Sequence, residues 1–245
     1  MPETAVLIAA TFLVAFLYSS VGHGGASGYL AVLSLLAVPH PEKAASALCL
    51  NLLVAGVSAY SFFRAKYFSW KLTWPFLAAS VPAAFAGGFL RVSPVLYDWL
   101  LAGVLLWAGV RLFLDPGADA MTPVYPVSLK VSLPAGGAIG LVSGIVGVGG
   151  GIFLSPLLVL SGWADPKTAA ASSALFILVN SASGLCGRWF RGGLLLSSYL
   201  TVMTAAAFLG ALAGASLGAR RLSSRWLKRL LAVVLFLAAA KVLAG

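Results

Sequence analysis

The sequence predicts an all-α integral membrane protein made of two homologous halves, with eight to ten membrane segments. The 245 residues are 61% hydrophobic and only 9% charged, with a mean hydropathy of +1.01. A soluble domain covers its surface with many more charged side chains. The apolar stretches suit a bilayer, which a helix of about 20 residues spans, and glycine-rich interruptions recur in both halves.

Ten apolar segments follow one another along the chain. Leu and Ala dominate them, and the alternation of period two that marks a barrel strand is missing, so we predict helices. The predicted segments are residues 4–19, 27–38, 43–63, 72–90, 95–114, 127–142, 152–163, 167–187, 195–217 and 226–244.

Two glycine-rich motifs interrupt apolar stretches at matching places in the two halves. They are Gly22-His23-Gly24-Gly25 and Gly147-Val148-Gly149-Gly150-Gly151. Interrupted hydrophobic segments at corresponding positions of a duplicated chain indicate the binding site of a transporter. Glycines also serve simply to let helices pack closely, but two motifs at equivalent positions favour a binding site.

The motifs belong to a duplication that covers nearly the whole chain. An offset of 125 residues, the spacing of Gly22 and Gly147, also aligns residues 41–45 with residues 166–170. The predicted organisation is a first transmembrane repeat over residues 1–114, a polar linker over 115–126 and a second repeat over 127–245.

The number of crossings decides whether the repeats are parallel or inverted. Residues 4–38 would measure about 50 Å as one helix, against a hydrocarbon core of about 30 Å. They form either one kinked, tilted span or two short helices that meet at the glycines. Cytoplasmic loops are enriched in Lys and Arg, and five crossings per half give the more uneven distribution, eleven against five. The smaller group would be Lys43, Arg91, Arg188, Arg191 and Lys241. We therefore predict inverted repeats with both termini outside the cytoplasm.

The interruptions predict an anion site. Broken helices leave backbone N–H groups unpaired at membrane depth, where the positive end of the helix dipole attracts an anion. Small polar side chains near the breaks either line the same cavity or join helices to one another; among them the Asn residues are the costliest to bury. The candidate substrate-binding residues are Gly22, His23, Gly24, Gly25, Ser27, Asn51, Gly147, Gly149, Gly150, Gly151, Ser172, Ser173 and Asn180.

Few ionisable groups accompany these residues. His23 is the only one inside a break, where it binds an anion, relays a proton or bonds a freed carbonyl. Two basic pairs lie just past the second long helix of each half, and they either fix the topology or collect anions at the two mouths. They are Arg64 with Lys66 and Arg188 with Arg191. His40, in a loop between prolines, is assigned no role. All six carboxylates fall at segment ends or in loops, so proton or sodium coupling through a central carboxylate is not expected.

The motifs resemble those of the sulfite exporter family, the TauE/SafE-type permeases. The residues that carry the likeness are Gly22 to Gly25, Gly144 to Gly151, Pro156, Thr168 to Ser173 and Asn180-Ser181. Ala26 stands where a third glycine would complete the first motif. The resemblance therefore does not imply that both breaks contact an anion equally. The resemblance implies a multi-pass permease of the bacterial inner membrane for sulfite, sulfonates or related sulfur and carboxylate anions.

Other classes remain alternatives. An anion channel could use the same broken helices, and a membrane enzyme or scaffold would need catalytic or metal-binding groups that the sequence does not show. P-loop, dinucleotide-binding and nucleic-acid motifs are missing, so no cofactor, metal or nucleic acid is expected. The expected partners are a small anion and the lipid bilayer, and a homo-oligomer is left open.

Overall fold

The computed structural model of the protein describes residues 2–20, 22–114, 127–218 and 225–244. The predicted linker over 115–126 lies outside the described residues, as do Arg220 and Arg221. The described residues form ten α-helices and no strand, and each helix coincides with a predicted segment. The helices are α1 (Pro2–Ser20), α2 (Ala26–Leu35), α3 (His40–Arg64), α4 (Trp70–Phe89), α5 (Pro94–Phe113), α6 (Leu129–Val146), α7 (Gly151–Leu160), α8 (Pro166–Gly192), α9 (Leu200–Gly218) and α10 (Arg225–Ala244).

Helix lengths fall into two groups. Six helices of the described chain, α3, α4, α5, α6, α8 and α9, are long and apolar enough to cross a membrane. In contrast, α2 and α7 have ten residues each. Ten residues extend about 15 Å, half the hydrocarbon thickness. These two helices therefore begin or end near the middle of the membrane.

Each short helix folds back along the helix before it. The hydroxyl groups of Tyr18 in α1 and Ser27 in α2 are 2.7 Å apart, and Gly28 packs on Val14, one turn earlier in α1. In the second half, Gly150 at the start of α7 packs on Ser143 and Ile139 of α6. The interrupted segments are therefore helical hairpins, each made of two helices that meet at the glycines, and not single kinked spans.

The two hairpins enter from opposite ends of the molecule. We call the end that contains His40, Tyr97 and Arg188 the His40 end, and the end that contains Tyr67 and Lys167 the Tyr67 end. α2 finishes at the His40 end, where Ser34 and His40 line one cavity. α7 finishes at the Tyr67 end, since Trp163, just after it, packs on Phe76 near the start of α4.

The helix packing of one half is repeated in the other half, with the corresponding helices running in opposite directions. α4 and α6 run parallel, as do α1 and α9, and these two pairs correspond to each other under the 125-residue offset. α3 and α8 are antiparallel across the centre: Lys167 donates to the Tyr67 hydroxyl at one end, and Leu48 lies beside Gly184 toward the other. Each half therefore contributes five helices, and the second half runs through the molecule in the direction opposite to the first. Inverted repeats predict this arrangement.

The basic side chains lie at the ends of the molecule that five crossings per half predict. Arg91, Arg188 and Arg191 line one cavity at the His40 end. Lys43 and Lys241 line the neighbouring cavity, which His40 also borders. All five members of the smaller charge group therefore lie at the same end of the molecule.

Glycines inside the long helices have the packing role that the sequence offered as an alternative. Gly136, Gly140 and Gly144 recur every four residues along α6, and α4 packs directly against each. Such small-residue ridges let helix backbones approach closely in a membrane. The glycines of the two hairpin turns differ from these in backbone conformation.

Candidate functional site

The hairpin turns need glycine because the backbone turns left-handed there. φ is +76° at Gly22 and +91° at Gly25, and +92°, +76° and +83° at Gly147, Gly149 and Gly150. Residues with a Cβ rarely adopt this conformation. Gly151 and Ala26 have ordinary φ values and begin α7 and α2 respectively. The third glycine of the second motif therefore has no backbone requirement that Ala26 would violate.

The two turns overlap in the middle of the molecule. Gly22 reaches past the centre to Ala170 near the start of α8, and Gly147 reaches the other way to Ala44 near the start of α3. Between these points, Gly24 and Gly149 both pack against Asn51 and Ile177. We call this place, defined by Gly24, Asn51, Gly149 and Ile177, the hairpin junction.

Asn51 connects the two turns. Its side chain is fully buried, and Nδ2 donates to the backbone oxygen of Val148 at 3.0 Å. Its Oδ1 lies against Gly24 and has no hydrogen-bond partner among the described residues. A buried amide oxygen without a partner costs about 1 to 3 kcal/mol, so this acceptor is a strained point of the junction within the described chain.

The helix N-termini at the junction carry unused N–H groups. In the second hairpin, Gly147 and Val148 donate to the Ser143 oxygen and close the end of α6. Residues 149 to 152 have no acceptor among the described residues, and Phe153 is the next to donate, to Gly150. In the first hairpin, residues 24 to 28 likewise find no acceptor in the described chain before Tyr29 donates to Gly25. Both short helices therefore direct their positive ends toward the centre.

The predicted polar residues of α8 are buried, and one of them, Ser173, contacts the second turn. Ser172, Ser173 and Asn180 are buried, and none of their side-chain polar atoms has a hydrogen-bond partner among the described residues. Ser173 contributes a backbone oxygen beside Gly151. Ser181 was not predicted; its hydroxyl packs on Gly149 and is likewise unpaired within the described chain. The periodicity of 173, 177 and 181 along one helical face was the available signal.

Not every predicted residue has a free polar group. The Ser27 hydroxyl is paired with Tyr18 within the first hairpin. His23 is half-buried, its backbone N–H donates to the Tyr18 oxygen at 2.8 Å, and its ring meets the Tyr18 ring edge-on. Both residues lie at the first turn, so the structure brings them near the predicted site without testing their role.

Two assignments from the sequence need correction. Arg188 is not past the long helix, since it lies inside α8 and is 4% exposed, although it lines a cavity at the His40 end. His40 is not an isolated loop residue, since it begins α3, stacks on Tyr97 and lies 3.2 Å from the Asp98 carboxylate. Both errors concern contacts between distant segments, which loop position alone does not reveal.

A cavity of about 430 Å³ at the His40 end contains both residues. We call it the vestibule; its lining includes His40, Arg91, Tyr97, Arg188 and Arg191. Its floor touches the second hairpin, because Ile145 lines it and Arg188 Nη2 donates to the oxygens of Gly144 at 2.9 Å and Ile145 at 2.6 Å. A cation at these carbonyls stabilises the negative end of α6.

Metal or acid–base chemistry has no evident centre in the described chain. No group of three or more His, Cys, Asp and Glu side chains comes together among the described residues. Glu42 lies in the first turn of α3, Asp98 is the fifth residue of α5, and Asp165 precedes α8. These three carboxylates therefore lie at or near helix starts.

Comparison with known proteins points to one group of membrane proteins. The family model "Sulfite exporter TauE/SafE" matches residues 7–242. The chain is 32% identical over 247 aligned residues to "Probable membrane transporter protein y4hK" of Sinorhizobium fredii, with 98% of both chains covered. It is also similar to "Probable membrane transporter protein YunE" of Bacillus subtilis, 27% identical over 52% of this chain and 45% of that one. No solved structure matches the chain.

Proposed function

Because the chain belongs to the sulfite exporter TauE/SafE family and is a multi-pass membrane transporter, we propose that its substrate is a small sulfur oxyanion, sulfite or an organosulfonate, bound at the hairpin junction. The names of its relatives specify no substrate. The proposal that the substrate is an anion therefore rests on the chemistry of the junction, and the choice of a sulfur oxyanion rests on the family.

The observation that carries it is the meeting of two helix N-termini. α2 and α7 start at the centre and run to opposite ends, so their positive ends converge on Asn51. Unpaired backbone N–H groups at a helix N-terminus form an anion site without any charged side chain. In a water-poor interior, unmade hydrogen bonds are costly. An oxyanion with several acceptor oxygens satisfies several donors at once.

The close packing of the junction implies that the halves move during transport. A Cβ at Gly149 would lie 2.6 Å from Asn51 Nδ2, and one at Gly150 2.6 Å from Ser143 Oγ. Each turn belongs to a different half of the chain, so a small rotation of one half against the other opens the junction to one end. Alternating access of this kind is typical of transporters built from inverted repeats.

The absence of a carboxylate from the described junction fits export of an anion. Moving one negative charge out of a cell with a negative interior releases about 2.3 kcal/mol per 100 mV. An exporter can therefore operate without a proton or sodium relay. We place the protein in the bacterial inner membrane with its His40 end outside, because the smaller group of basic residues lies there.

A channel or a carboxylate permease would use the same donors. A channel would pass anions at rates above those that alternating access permits, and a carboxylate permease would bind acetate-like anions as well as sulfonates. Neither is favoured by a particular contact in the structure. Flux measurements in liposomes distinguish them from the proposed sulfur-oxyanion transporter.

Ligand-dependent thermal stability tests the proposal. Purified protein is heated with sulfite, thiosulfate, sulfoacetate, sulfate or acetate, and Asn51→Leu is compared with Ser61→Ala, whose hydroxyl bonds only its own helix at Val57. A ligand at 100 times its Kd adds about 2.7 kcal/mol. We expect sulfite or sulfoacetate to stabilise the wild type and Ser61→Ala, and to stabilise Asn51→Leu much less. Equal stabilisation of Asn51→Leu would refute a site at the junction.

A further inference from the structure

The vestibule has an excess of positive charge that transport through the junction does not explain. Arg91, Arg188, Arg191 and His40 line it, and none of the described residues that line it is acidic. The nearest carboxylate, Asp98, lies 3.2 Å from His40 Nε2 and borders the neighbouring cavity together with Lys43 and Lys241. The charge of this carboxylate is therefore shared with three cationic or titratable groups and does not neutralise the arginines.

Arg188 is the fixed member of this group. Its guanidinium is held by the two α6 oxygens through Nη2 alone. Nε is buried and has no partner among the described residues. The residue as a whole is only 4% exposed. A buried guanidinium with unused donors is costly, and two adjacent N–H groups of arginine match two oxygens of an oxyanion.

Arg91 and Arg191 form the rim of the vestibule, where Arg91 is exposed and Arg191 is half-buried. Arg191 Nη1 donates to the Leu90 oxygen at 2.8 Å, and Arg91 makes no hydrogen bond to a described residue. Because Leu90 directly precedes Arg91 in the chain, this hydrogen bond holds the two like-charged side chains at one side of the cavity. Such crowding of cations in one cavity is relieved by an anion.

We propose that the vestibule is a second anion-binding site, distinct from the hairpin junction, that takes an oxyanion of the sulfite or sulfonate class between Arg188 and the rim arginines. A volume of about 430 Å³ leaves room for an organic chain beyond the sulfonate group. The assignment rests on the proposed function in one respect, that the transported substrate is an oxyanion.

Arg188 connects the vestibule to the second hairpin. It holds the last turn of α6, immediately before Gly147. Tyr97 contributes a further contact, donating to the Val146 oxygen at 3.3 Å. An anion that engages Arg188 therefore competes with the carbonyls that anchor the turn, so occupancy of the vestibule favours release of the turn toward this end.

Binding measurements on separated sites test the proposal. Sulfite- and sulfoacetate-dependent stabilisation is measured for Asn51→Leu, for the double variant Arg91→Gln/Arg191→Gln and for the two combined. The matched control is Lys71→Gln/Lys130→Gln, which removes two exposed charges outside the vestibule. We expect Asn51→Leu to keep a salt-sensitive stabilisation that the rim substitutions abolish. Loss of all stabilisation in Asn51→Leu alone, with no effect of the rim substitutions, would overturn the second site.

Transport in oriented liposomes gives an independent readout. Electrostatic steering raises association rates by about 10 to 10³, so we expect Arg91→Gln/Arg191→Gln to raise KM about tenfold when the anion is presented at the His40 end. KM from the Tyr67 end should stay at the control value. Equal KM values for the rim and control variants would also count against the site. If the wild type transports no sulfur oxyanion, the proposed function fails, while the binding measurements still decide whether the vestibule holds an anion.

Discussion

At the scale of single residues, the junction depends on positions where a side chain is excluded. Gly149 and Gly150 have positive φ and touch side chains from other helices. Asn51 was predictable because a buried amide in an apolar helix is costly. Ile177 and Ser181 were not assigned, although they follow the predicted Ser173 at intervals of four along one helical face. Their contacts with Gly24 and Gly149 join segments far apart in the chain, which a local pattern does not reveal.

Gly150→Leu should abolish transport while leaving membrane insertion intact. The new Cβ would lie 2.6 Å from Ser143 Oγ and 2.7 Å from Ile139 Cγ2, at a φ of +83°. Strain of this kind costs about 1 to 3 kcal/mol, and the displaced turn misdirects its N–H groups. Gly103→Leu is the control, because no atom lies within 4 Å of a Cβ there. Anion flux and membrane expression measure both; normal flux in Gly150→Leu would show that the turn is dispensable.

His23→Gln should weaken transport or flatten its dependence on pH. The ring is half-buried at the first turn, and protonation of a histidine adds a positive charge beside an anion site. Glutamine keeps hydrogen-bonding capacity but does not titrate. Efflux measured between pH 5.5 and 8 checks this. The control is Val148→Leu, which changes side-chain size at the equivalent position of the second turn. Identical efflux profiles for wild type and His23→Gln would exclude a role for the imidazole.

At the scale of elements, sequence reasoning identified all ten helices because each has an apolar stretch and a recognisable end. It left open whether the interrupted segments were kinked spans or paired helices. Composition does not decide between these, whereas contacts such as Tyr18 with Ser27 do. The structure also shows a side-chain N-cap, Asp165 before α8, that the sequence analysis did not use.

Asp165→Ala should destabilise the protein by about 1 kcal/mol, the usual value of an N-cap. Its carboxylate accepts from the backbone N–H groups of Lys167 and Thr168, at 2.9 and 3.1 Å. Partial burial raises the pKa of Asp165, but these hydrogen bonds and that of the Thr168 hydroxyl offset it, so the pKa lies below its usual value. The stabilisation is thus complete above the unfolded pKa and is lost as pH falls through the folded pKa.

Thermal unfolding in detergent at pH 7 and at pH 3 measures this effect. Wild type and Asp165→Ala should differ more at pH 7 than at pH 3, because protonation removes the carboxylate charge but leaves an oxygen that accepts a hydrogen bond. Asp165→Asn, which still accepts a hydrogen bond but carries no charge, should lie between them at pH 7. A difference between wild type and Asp165→Ala that persists unchanged at acidic pH would indicate that the carboxylate charge does not contribute.

At the scale of the whole molecule, the account requires an inverted repeat. The 125-residue offset and the uneven loop charges predicted five legs per half, and the reversed packing of α4 with α6 and of α1 with α9 agrees. What the sequence could not provide is the depth of each turn, because that depends on which helix of the other half it meets. The boundaries at 1–114 and 127–245 stay a prediction.

Reporter fusions test the orientation. α1 starts and α10 ends toward the His40 end, so both termini should lie on one side of the membrane, and the charge distribution places that side outside the cytoplasm. A phosphatase fused to the C-terminus should be active and a fluorescent protein that folds only in the cytoplasm should be dark. A fluorescent C-terminal fusion would contradict this orientation.

The central claim is that backbone N–H groups of the two hairpin turns hold the anion. Selenite is a heavier congener of sulfite, and its selenium can be located by anomalous diffraction from crystals of the protein. The account predicts a selenium peak between the turns, with selenite oxygens within about 3 Å of the backbone nitrogens of residues 149 to 152 or 24 to 28. A structure in which selenite binds elsewhere, and those nitrogens face only protein side chains, would contradict it.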